Sequence, residues 1–137
     1  MPESSRHMAL VQRAAAYLLD RFPVDDGHLI FIDAPDTRRG DRPPSFEGYI
    51  PDVFLTDVPT RFNAIGEAKT MSDLENEHTD AQLDAFLRHL RIRTGILVVA
   101  VPWIAERSAR TMVGASVRRT QATSVETVIL TDRAPCR

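Results

Sequence analysis

Met8, Val11, Ala15, Leu18, Leu19 and Phe22 recur at intervals of three and four, the spacing that lines one face of an α-helix. Pro23, with no amide hydrogen to donate, ends that helix. Leu29-Ile30-Phe31-Ile32 is a short apolar run that predicts a strand, and residues 33–48, with Pro35, Gly40, Pro43, Pro44 and Gly48, predict an irregular loop. Tyr49 to Thr56 reads as a second strand with Val53-Phe54-Leu55 as its apolar part. Asp57-Val58-Pro59-Thr60 reads as a turn and Arg61 to Lys69 as a third strand, so the stretch 52–69 is a hairpin. After the acidic connector Thr70 to Glu77, Leu83, Phe86, Leu87 and Leu90 give a helical stripe over about residues 79–93. Gly95 to Val101 is almost wholly apolar, as a strand covered on both faces must be. Pro102 to about Arg119 predicts a helix in which Gly114 is the weak point, and Val125 to Thr131 predicts a last strand. The order is α-β-β-β-α-β-α-β, an α/β fold.

With 137 residues, 43% of them apolar, the chain suits one domain, 1–137, with a core of its own. No apolar run approaches the ~20 residues that cross a bilayer, and Met1-Pro2-Glu3-Ser4-Ser5 lacks the layout of a secretion signal. The single cysteine, Cys136, offers no internal disulfide. These features predict a cytoplasmic protein with no membrane partner. A net charge of −2 argues against coating nucleic acid by bulk electrostatics, but not against a local basic face.

Of the 17 basic residues, 16 are arginine, and the one lysine is Lys69. A compact ammonium and a broad guanidinium do different work, so an isolated lysine marks a place where arginine fails. Glu67 and Lys69 lie two apart on a predicted strand and leave the same face, and the hairpin can bring Asp52 beside them. Two facing carboxylates repel unless a cation sits between them, and hard oxygen ligands suit Mg²⁺ or Mn²⁺. Such an ion polarises a phosphoryl oxygen and helps to generate hydroxide from water. Lys69 would orient the attacking water or stabilise charge developing at phosphorus. Together these residue types point to phosphodiester hydrolysis.

Pro51-Asp52, then 14 residues, then Glu67-Ala68-Lys69 resembles the signature of the PD-(D/E)XK nuclease superfamily, which includes restriction enzymes, archaeal Holliday junction resolvases and VRR-NUC domains. The resemblance implies a restriction-endonuclease-like αβββαβ core with a central mixed sheet flanked by helices, covering residues 8 to 101. It implies Asp52 and Glu67 as metal ligands, Ala68 as a ligand through its backbone carbonyl, and Lys69 as the catalytic lysine. Many members also carry a glutamine early in the helix after the third strand, where Gln82 is similar and would position water or phosphate. One departure stands out: many relatives supply a glutamate from the first helix, whereas residues 7 to 22 contain none. Asp20 lies near that helix's C-terminus, and Glu47 is a substitute close to Asp52.

Several residues carry a second reading. Thr79-x-x-Gln82 fits a capping box, in which Gln82 only closes a helix N-terminus. The acidic run Asp73, Glu75, Glu77 and Asp80 reads as a solvated connector that favours a helix start. Gln82, His89 and Arg93 form a stripe that could follow a phosphate backbone, or, with Arg88 and Arg91, a merely polar helix face. Arg38, Arg39 and Arg42, on the loop before the site, are candidates for nucleic-acid contact. His7, His28 and His78 are scattered without metal-ligand spacing, and Trp103 reads as core or interface. No P-loop, Rossmann glycine pattern or Ser/His/Asp order competes. The expectation is a Mg²⁺- or Mn²⁺-dependent DNA endonuclease, RNA not being excluded as substrate, working as a homodimer because so small a domain covers little duplex. The alternative is a nuclease-fold module that binds nucleic acid or a protein without cutting.

Overall fold

A computed structural model describes residues 2–35, 37–57 and 61–132. Among these residues three α-helices, α1 (Pro2–Arg21), α2 (Glu77–Leu90) and α3 (Glu106–Thr120), pack on five strands: β1 (His28–Ile32), β2 (Val53–Asp57), β3 (Phe62–Ala68), β4 (Thr94–Val101) and β5 (Glu126–Thr131). The strands form one mixed sheet in the order β1-β2-β3-β4-β5. β1, β2 and β3 are antiparallel neighbours, whereas β3, β4 and β5 run parallel. The element order is the one expected from the apolar spacing.

Side chains alternate across this sheet and build two cores. Phe54, Ile65, Leu97, Val99 and Val101 face α2 and α3 and meet Leu83, Phe86, Leu87, Leu90, Ala109 and Val113. Val53, Leu55, Ala64, Ala68, Ile96, Val98 and Ala100 face α1 and meet Leu10, Val11, Ala14, Ala15 and Leu18. β4, an interior strand covered on both faces, contributes to both, which is why it is apolar nearly throughout. Among the described residues no helix is long and apolar enough to cross a membrane.

Element ends depart from expectation for identifiable reasons. α1 begins at Pro2, ahead of its apolar stripe. β2 begins at Val53 instead of Tyr49, because Phe46 and Tyr49 pair with each other across a tight turn, leaving Asp52 just outside the strand. α2 starts at Glu77, capped by the Asn76 side chain, which accepts from the His78 N–H. It ends at Leu90, not Arg93. A short 3-10 turn, Trp103–Ala105, precedes α3. Part of the hairpin turn, residues 58–60, and Cys136 lie outside the described residues.

Candidate active site

Antiparallel register places Val53 opposite Gly66, so one step further along the pair Asp52 lies across from Glu67. The two residues clasp each other through their backbones. The Asp52 N–H donates to Glu67 Oε1 at 2.7 Å, and the Ala68 N–H donates to Asp52 Oδ2 at 2.8 Å. Each carboxylate thereby takes up a backbone N–H just outside the β2–β3 ladder, and the clasp ties the start of β2 to the end of β3.

Glu67 shares a face of β3 with Ile65 and points under α2, where it is only 1% exposed. Its other oxygen, Oε2, lies 3.3 Å from Lys69 Nζ, and that ammonium donates to Gln82 Oε1 from α2. The helix therefore delivers its glutamine to the cluster. With Asn76 as the N-cap and Gln82 nine-tenths buried beside Lys69, the capping-box reading of Thr79 and Gln82 does not hold.

The fifth member comes from the opposite layer. His7 Nε2 of α1 lies 3.4 Å from Asp52 Oδ1. Sequence spacing gave His7 no metal-ligand partner, yet it sits four and seven residues before the fully buried Val11 and Ala14. A histidine continuing an apolar stripe was the available signal, and its partner could be named only from the packing of α1 on the sheet. The Asp52 hydrogen bond raises the His7 imidazole above its ordinary value, against burial, which lowers it. Burial, and next the charge of Asp52, push the Glu67 carboxyl up to about 8, against the pull of Lys69.

The remaining candidates separate. His89 accompanies Gln82 on α2 but reaches the other end of β3, where Nε2 meets Asn63 Oδ1 at 2.6 Å and the ring packs on Phe46 with centroids 4.2 Å apart. Burial lowers its imidazole below the ordinary range. Its partners place this half-buried histidine away from the cluster. Glu47 is occupied by Arg88, whose Nε and Nη2 lie 2.8 and 2.7 Å from its two oxygens. Asp20 is exposed at the far end of α1 from His7. Arg38, Arg42 and Arg93 are exposed and none joins the cluster; Arg39 lies on the 3-10 turn Arg39–Asp41, its side chain outside the described set. Trp103 is 53% exposed, so it is not a core residue.

Among the described residues no group of three or more histidine, cysteine, aspartate or glutamate side chains is arranged to hold a metal ion. Mg²⁺ and Mn²⁺ ask for less, one or two carboxylates with the remaining positions filled by water. A carboxyl driven above its usual range by burial and next by a second carboxylate belongs to a donor set that such a cation would relieve. The chemistry of Asp52 and Glu67 therefore fits a hard divalent ion, with His7 beside the more exposed of the two. No family model, curated protein or solved structure matches this chain.

Proposed function

We propose that the protein is a metal-dependent nuclease of the PD-(D/E)XK type that hydrolyses phosphodiester bonds in DNA. The observation that carries this reading is the convergence of Asp52, Glu67, Lys69 and Gln82 at one end of the β2–β3 pair. The element order and the mixed sheet support a restriction-endonuclease-like core.

Asp52 and Glu67 would hold Mg²⁺ or Mn²⁺, with the Ala68 carbonyl as a further ligand. When bound, the ion supplies Lewis acidity toward a phosphoryl oxygen and lowers the pKa of water. Lys69 places an ammonium where negative charge grows on the phosphoryl group. Gln82 holds that ammonium in position through its side-chain oxygen. His7 orients the Asp52 carboxylate from the side opposite α2 and takes the place that a first-helix glutamate fills in many members of that superfamily. Cutting both strands of a duplex would take a second copy of this small domain.

One observation favours a non-cutting module instead: both carboxylates already accept backbone N–H bonds, so the cluster is satisfied without an ion. Calorimetric titration with Mn²⁺ separates the two readings. The nuclease should bind the ion with an affinity that Asp52→Asn abolishes; an absence of binding by the unaltered protein favours the module.

A further inference from the structure

A groove of about 930 Å³ opens between α1 and the segments that follow β3 and β4. Its lining includes Arg6, next in the chain to His7, and Thr70, next to Lys69, so it abuts the cluster without being part of it. Arg6 and Arg13 stand on one wall, both exposed and neither in an ion pair among the described residues. Seven residues separate them, two turns on one helix face, or about 10 Å along the axis. Roughly three nucleotides of a stacked strand, at about 3.4 Å each, span that distance.

Apart from Thr70, Ser72 and Asp132, the rest of the described lining is apolar. Leu10, Met71, Pro102 and Ile104 form much of it, and Met71 and Ile104 remain 40% and 59% exposed. A duplex turns phosphates and sugars outward and hides its bases, so an apolar floor has nothing to meet there. A single strand presents both a charged backbone and free base faces, which match an arginine wall and an apolar floor. Asp132 is the one acidic residue among the described lining residues, and its Oδ1 accepts the Trp103 N–H. Among the described residues, two cations outside any ion pair face one engaged carboxylate, so this lining is basic in a chain whose net charge is −2.

Resting on the nuclease reading, we infer that this groove binds an unpaired nucleic-acid strand flanking the scissile phosphate. The favoured substrates are then those with a single-stranded tail, a flap or an overhang, rather than plain duplex.

Fluorescence anisotropy in EDTA, where no cutting occurs, tests this with a labelled twelve-nucleotide oligothymidine and a blunt duplex of equal length. The single strand should bind at least ~10-fold more tightly. The double variant Arg6→Ala/Arg13→Ala should lose ~10-fold or more on it, with the logarithmic salt slope falling by about 1.4 for two phosphate contacts. Ile104→Ser should weaken binding without changing that slope, and Arg61→Ala, at the other end of β3, should change neither. Equal affinity for both probes, or an unaltered double variant, overturns the inference even if the protein cuts DNA. Binding as described with no cutting in Mn²⁺ leaves the groove standing and removes the nuclease reading. If light scattering shows that the double variant loses self-association while its DNA affinity is unchanged, the occupant is a second copy, and the inference fails.

Discussion

Lys69 is the one ammonium in a chain that otherwise uses arginine, and its surroundings give the reason. It is 8% exposed, with Nζ held between Glu67 Oε2 and Gln82 Oε1. A guanidinium brings five donors in a rigid plane, and in this space several would be buried without acceptors. Lys69→Arg should therefore cut at least ~10²-fold more slowly, read as kcat/KM on a labelled flap; near-normal rates would show that the lysine was incidental. Glu67 carries a prediction about stability as well. Its carboxyl binds a proton more tightly folded, at about 8, than at the ordinary 4.5. Its contribution to stability is thus complete below about pH 4.5 and is lost as pH rises through about 8. Glu67→Gln removes that titration while keeping an acceptor for the Asp52 N–H. Without metal, the variant should melt above the parent protein at pH 9 and close to it at pH 5, by differential scanning fluorimetry. Parallel melting curves across that range would contradict the burial argument. Lys69 and Glu67 were readable as a pair from their spacing; His7 was not, because its partner lies on another element.

Between elements, the approach of α1 to β3 decides whether His7 reaches Asp52. Gly66 permits that approach: a Cβ built there would lie 3.1 Å from Val53 Cβ and 3.2 Å from Ala14 Cβ. Both neighbours are fixed to backbone, so an added methyl must push the helix outward. Gly66→Ala should cost about 1–2 kcal/mol in urea denaturation, and unchanged stability would show that α1 has slack. The periodic stripes made all three helices and five strands readable in order, since each buries one face or two. Their ends were less readable. Asn76 and Thr79 are both acceptable N-caps by residue type, and only the packing of α2 chooses between them. The same packing decides between the two readings of Gln82 and makes it a partner of Lys69.

For the molecule as a whole, the cluster stands where both helix layers meet one end of the sheet. α2 brings Gln82, α1 brings His7, and the central strands bring the two carboxylates. Pro51-Asp52 and Glu67-Ala68-Lys69 were legible because hairpin register is local. The basic groove was not, because Arg6, Thr70 and Ile104 are joined only by folding. Charge is divided similarly: the sum of −2 conceals arginines that, among the described residues, join no ion pair beside an acidic centre. The most direct test is to incubate a panel of labelled DNA and RNA structures with the purified protein and with Asp52→Asn, in Mn²⁺ and in EDTA. The account predicts strand scission by the parent protein in Mn²⁺ alone, and a loss of at least ~10³-fold in the variant. Equal scission by Asp52→Asn, or none by the parent protein on any substrate, would contradict it.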